Sequence, residues 1–220
     1  MSLFRKPLSR RSLTAALALF AMLAMPTSQA ATDLYRLVWT DDPATTITIG
    51  WRQLSGTFLE VRYRERNDAF AAWQEVSTVR TGVLVNVAEG PDTGDPSGVV
   101  PTQDPFETYF VDLSGLSPDT DYEFEICDSE DAPAAKACSP YMYFRTAPAT
   151  RKPFTLIAGG DSRRTSSALF GANDQARRRG FELVAKIRPL AVVFSGDFMD
   201  EGVYGEWLIW MDEWQLTKSA

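Results

Sequence analysis

Two aspartates, Asp161 and Asp197, each stand directly behind a glycine at the end of a short apolar run. Phe-Thr-Leu-Ile-Ala at 154–158 stops at Gly159 and Gly160 and delivers Asp161, followed by Ser162, Arg163 and Arg164. Ala-Val-Val-Phe at 191–194 stops at Ser195 and Gly196 and delivers Asp197, with Asp200 and Glu201 close behind. Short apolar runs of this kind, stopped by glycine, read as strands. Neighbouring parallel strands joined by a right-handed helical crossover present their carboxyl ends along one edge. The spacing therefore predicts both carboxylates at one mouth, an arrangement that suits a metal centre, since carboxylates are ligands for hard cations.

The segment between the two runs must supply the crossover. Asn173 can cap a helix that runs to Arg188 and stops at Pro189. Its apolar face is predicted at Ala176, Gly180, Leu183, Val184 and Ile187, with the Arg177, Arg178 and Arg179 run read as a solvated face and a phosphate site as the alternative. A second helix is expected from about Tyr204, where Trp207, Trp210, Met211 and Trp214 fall at core-forming spacing. Two strands and two helices cannot bury so many large apolar groups, so 154–220 is expected to be the start of a larger α/β domain and the chain a fragment.

Upstream of the linker at 149–153 the pattern changes. Residues 31–148 break into short alternating runs separated by Pro, Gly and Asp, the signature of an antiparallel all-β sandwich. Strands are predicted at 45–51, 59–64, 108–113, 121–127 and 141–146, with further ones near 33–39 and 83–87. Ile47, Ile49 and Trp51 share one face of the first of these. The long loop at 88–107 carries Asp92, Asp95 and Asp104, but their spacing fits no calcium loop, and it is read as a solvated excursion. Cys127 and Cys138, the only two cysteines, flank an acidic, alanine-rich loop and are read as a structural disulfide, a free thiol pair being the alternative. A nucleophilic cysteine normally draws on a histidine, and the chain has 0 His.

Residues 1–30 read as a signal peptide. Arg5, Lys6, Arg10 and Arg11 form a basic head, an apolar run follows at 13–25, and Ser28-Gln29-Ala30 is a small-x-small cleavage site. Ser9-Arg10-Arg11-Ser12-Leu13 also fits a twin-arginine signal, so the general and the twin-arginine export routes both stay open. The expected location is periplasmic or secreted, with no membrane span after cleavage. The leader holds four basic residues and no acids, so its removal moves the formal charge from -7 to -11. Residues 31–148 hold 8 Lys and Arg against 20 Asp and Glu, whereas 149–220 hold 10 against 9. The acidic front half argues against nucleic acid or an anionic membrane as its partner.

Two resemblances sharpen these readings. Residues 113–124, Leu-Ser-Gly-Leu-Ser-Pro-Asp-Thr-Asp-Tyr-Glu-Phe, resemble the tyrosine-corner region of fibronectin type III domains, where a residue such as Tyr122 anchors the corner through its hydroxyl. Trp51 stands where that family keeps a core tryptophan, and 144–148 resemble its closing strand. The blocks Gly160-Asp161-Ser162-Arg163 and Gly196-Asp197-Phe198-Met199-Asp200-Glu201-Gly202 resemble the first two motifs of the calcineurin-like metallophosphoesterases. A sandwich before such a domain is similar to purple acid phosphatases, a branch of that superfamily.

The resemblance implies an immunoglobulin or fibronectin III-like sandwich followed by the start of an α/β metallophosphoesterase domain. By it, Asp161 binds one metal and Asp197 bridges two, drawn from iron, manganese or zinc. Such a pair clamps a small phosphorylated substrate and activates a water for in-line attack. Arg163 stands where many members carry histidine and is a candidate phosphate contact, with loop capping or ion pairing as its alternative. Asp200 stands where purple acid phosphatases carry the tyrosine of their chromophore, so no purple centre is expected, and its role is read as supporting the ligands. With no histidine the ligand set is incomplete, and the expected entity is an inactive piece of an exported phosphoesterase. The rival reading is a secreted binding or adhesion sandwich with a degenerate phosphoesterase remnant. A nucleotide-binding α/β domain is disfavoured because neither strand is followed by Gly-x-Gly-x-x-Gly.

Overall fold

A computed structural model of the chain describes residues 32–57, 59–68, 70–84, 106–129, 136–162, 173–198 and 204–215. Two antiparallel sheets form the front half. One has the order β1-β2-β6-β5, from β1 (Thr32–Val38), β2 (Ile47–Gln53), β5 (Arg80–Leu84) and β6 (Phe106–Leu113). The other has the order β4-β3-β7-β8, from β3 (Glu60–Glu65), β4 (Gln74–Val76), β7 (Asp121–Asp128) and β8 (Ala137–Cys138), with β9 (Met142–Arg145) also paired to β7.

Alternation decides what lies between the sheets. Ile47, Ile49 and Trp51 of β2 meet Val61 and Tyr63 of β3 and Tyr122, Phe124 and Ile126 of β7 in one core, where Trp51, Ile49 and Phe124 have no solvent exposure. The outer face of β2 is covered too. A Cβ at Gly50 would lie 3.0 Å from the Phe110 ring, so glycine is what lets that ring cross the strand, with Arg36 and Arg80 both over it. On the second sheet, register places Arg62 opposite Glu125 and Arg64 opposite Glu123, and both pairs form cross-strand salt bridges.

The tyrosine corner forms as its sequence requires. Tyr122 is buried, and its hydroxyl oxygen accepts a 2.8 Å hydrogen bond from the Ser117 amide. Cys127 and Cys138 face each other on β7 and β8 and are joined by a disulfide.

The second unit is a parallel pair, β10 (Leu156–Gly159) and β11 (Ala191–Phe194), with α1 (Asn173–Ile187) as the crossover and α2 (Tyr204–Trp214) after it. Contacts among the described residues fasten it to the sandwich. Lys152 pairs with Asp119, Arg188 lies over the Tyr143 ring, and Gln215 accepts a 3.0 Å hydrogen bond from the Leu34 amide. Leu34 has φ +53° at an irregularity of β1, which turns its buried amide out of the ladder. The Gln215 side chain replaces the lost partner.

Several expectations are corrected. The strand expected at 83–87 begins earlier, at Arg80, and residues 85–87 lie outside the described residues, as do Asp92, Asp95, Asp104 and the leader. The short β4 and β8 have too few residues to show alternation. On α1 the buried face is Arg177 and Phe181, while Leu183 and Ile187 are more than half exposed. The arginine run is thus split, because Arg177 turns inward to a buried carboxylate on α2.

Replacing Tyr122 with Phe leaves the Ser117 amide without its acceptor, and urea unfolding should show a loss of about 1–2 kcal/mol. Asp112 is held below the ordinary carboxylate range by hydrogen bonds from Arg80 and then Thr48. A depressed carboxylate adds stability above its unfolded value and loses it as pH falls through the folded one. The urea midpoint should therefore fall more steeply below about pH 4 in the wild type than in Asp112→Asn.

Candidate metal centre at the carboxyl edge of the parallel pair

The register Gly159 opposite Phe194 ends both strands together, so the turns behind them lie side by side. Backbone hydrogen bonds continue past the strand ends. The Ser195 amide donates to the Gly159 carbonyl at 2.8 Å, and the Asp161 amide donates to the Gly196 carbonyl at 3.1 Å. Both aspartates then break from extended geometry, with φ +54° at Asp161 and +58° at Asp197, the latter prepared by φ +107° at Gly196, which only glycine adopts without strain. Aspartate is among the few residues other than glycine that adopt this region, because its short polar side chain can hydrogen-bond to nearby backbone. The structure thus brings Asp161 and Asp197 to one edge, both exposed. Arg163 and Asp200 lie outside the described residues.

What holds the two turns was only partly legible. Arg177 and Glu213 form a salt bridge buried between α1 and α2, and Arg178 reaches the same carboxylate at 3.3 Å. Arg177 Nη1 also donates to the Ser162 carbonyl at 3.1 Å, and Trp210 Nε1 donates to Ser162 Oγ at 3.2 Å. Around Asp197, Phe194 and Phe198 stack with centroids 4.9 Å apart, and Trp210 meets them edge-on at 5.8 and 4.8 Å. The tryptophan spacing announced a packed face; nothing in the sequence paired Arg177 with Glu213 across 36 positions.

Beside Asp161 lies a pocket of about 320 Å³. Ile157, Phe181, Val184, Val192, Phe194 and Trp214 make it mainly apolar, with Asp161, Ser162 and Arg177 along one wall. As for cations, the donors fit in kind, being carboxylates, but among the described residues no third donor joins them. The one cluster of three candidate donors there is Glu125, Cys127 and Cys138, whose sulfurs are committed to each other.

The family model for the purple acid phosphatase N-terminal domain matches residues 33–146, just over half of the chain. The chain belongs to this family. Among solved structures, purple acid phosphatase PPD1 isolated from yellow lupin (Lupinus luteus) seeds aligns with a TM-score of 0.65 at 15% identity over 86% of this chain. That overlap exceeds the sandwich and extends the shared fold into the parallel unit. The chain spans 34% of the lupin protein's length. A computationally redesigned β-sandwich aligns at TM-score 0.31 and 15% identity, covering 53% of this chain and 93% of its own. Astrotactin-2, a conserved vertebrate-specific protein, aligns at 0.34 and 15% identity, covering 73% of this chain and 25% of its own. Neither of these two defines a fold relationship. No curated protein sequence matches. The purple acid phosphatase-type sandwich thus precedes the two aspartate turns in this chain.

Gly180 borders the pocket in the interior of α1, and a Cβ there meets nothing within 4 Å. Gly180→Ala should raise stability by about 0.5–1 kcal/mol in urea unfolding, through the lower entropy of the unfolded chain.

Proposed function

We propose that this chain carries the sandwich and the first site elements of an exported, metal-dependent phosphoesterase acting on a small phosphorylated substrate. The observation that carries the reading is the meeting of Asp161 and Asp197 at the carboxyl edge of a parallel pair, directly behind a purple acid phosphatase-type sandwich. On this reading 1–30 is the leader, 31–148 the sandwich, 149–153 the linker and 154–220 part of a calcineurin-like phosphoesterase domain.

Asp161 and Asp197 would hold divalent or trivalent ions, from iron, manganese or zinc, and carboxylate oxygens suit them because they offset the charge of the cations. Bound there, the metal centre supplies an activated water and neutralises charge on the phosphate. Arg163 follows the first aspartate by two positions, and its guanidinium matches phosphate oxygens. By the resemblance, Asp200 would support the metal ligands. Two carboxylates without histidine are too few donors for a dinuclear centre, so the 220-residue chain is inactive by itself. The basic head and cleavage site support export, with the mature chain periplasmic or secreted. No helix among the described residues is long and apolar enough to cross a membrane.

Assay of the mature chain with manganese, iron or zinc and a chromogenic phosphate ester should show no turnover above the metal-only blank. Turnover that disappears in Asp197→Ala contradicts the inactivity. A Gly-Asn-His block followed by further histidines in the coding sequence downstream of Ala220 supports the enzyme; a stop codon without one favours the binding module.

A further inference from the structure

The Ser195 hydroxyl donates to the Gly159 carbonyl at 3.2 Å and ties the two aspartate turns directly, and both are gripped in addition by the same helix. Ser162 follows Asp161 immediately, and both its polar oxygens are engaged, the carbonyl by Arg177 Nη1 at 3.1 Å and the hydroxyl by Trp210 Nε1 at 3.2 Å. Phe194 and Phe198 bracket Asp197 in sequence, and both rings lie edge-on to Trp210. Arg177 is in turn held by Glu213, with both side chains almost wholly removed from solvent, at 6% and 2% exposure. A buried ion pair of this kind is weak evidence for stability, because desolvation offsets most of the attraction. Its geometric consequence is firmer: a guanidinium anchored through Nε by a buried carboxylate holds Nη1 against the Ser162 carbonyl.

We propose that Trp210 and the Arg177–Glu213 pair are positioning residues that set Asp161 against Asp197 for metal binding. Trp210 touches both turns at once, through its indole N–H on one side and its ring on the other, so α2 acts as the clamp of the mouth. Gln215, one residue beyond α2, fastens the end of that clamp to β1. The inference rests on Asp161 and Asp197 being metal ligands.

The test measures Mn²⁺ affinity of the mature chain by the loss of the free-ion EPR signal, beside thermal melting and Mn²⁺ broadening of the Asp161 and Asp197 amide resonances. Trp210→Phe keeps one aromatic ring against Phe194 and Phe198 and removes the indole N–H bonded to Ser162, with part of the ring packing. Arg177→Met with Glu213→Leu removes the pair without leaving an orphan charge. Each should weaken Mn²⁺ binding about tenfold, as loss of ligand-orienting partners does. Melting should stay near wild type, and the parallel broadening of the two amides should become unequal. Wild-type affinity and parallel broadening in folded Trp210→Phe overturn the proposal, even if the double variant does not fold. Asp161→Ala and Asp197→Ala separate the two claims. Unchanged affinity in both defeats the metal reading, and the clamp with it. Lost affinity in these two alone defeats only the clamp.

Discussion

Parallel strands cannot be closed by a tight turn, and this constraint organises the back half of the chain. A crossover must leave one strand end, travel the length of the pair and return, which requires about a dozen residues or more and is met here by α1. Both strands consequently finish on the same side. Whatever residues follow them share an edge, and in this chain those residues are aspartates with left-handed backbones. The mouth is a product of connectivity first and of side-chain chemistry second.

The sandwich in front contributes a different kind of order. Its core is made by alternation alone, with Trp51 and Phe124 filling the space between two antiparallel sheets. It then meets its neighbour through polar and cation–π contacts. The Leu34 irregularity exposes an amide that a regular ladder would have consumed, and Gln215 uses it. Membership of the purple acid phosphatase N-terminal domain family concerns this sandwich, residues 33–146.

Much of this was readable in the sequence because periodicity reports burial. The strands with four or more alternating positions, the tyrosine corner at Tyr122 and the two apolar runs before Asp161 and Asp197 follow from local pattern. The short β4 and β8 and the inward turn of Arg177 do not, since each depends on a partner distant in the chain. Leu183 and Ile187 illustrate the same limit in reverse. They satisfy helical periodicity and remain exposed because the two-stranded sheet offers nothing to cover them. Donor number is legible by count, and the absence of histidine limits how much metal chemistry two carboxylates can sustain.

The central claim is that Asp161 and Asp197 share a metal ion. Crystals of the mature chain soaked in Mn²⁺, with diffraction recorded near the manganese absorption edge, test it directly. The account predicts an anomalous peak in contact with both carboxylates. A peak at another site with none at this edge, or an ordered mouth with no peak, would contradict it.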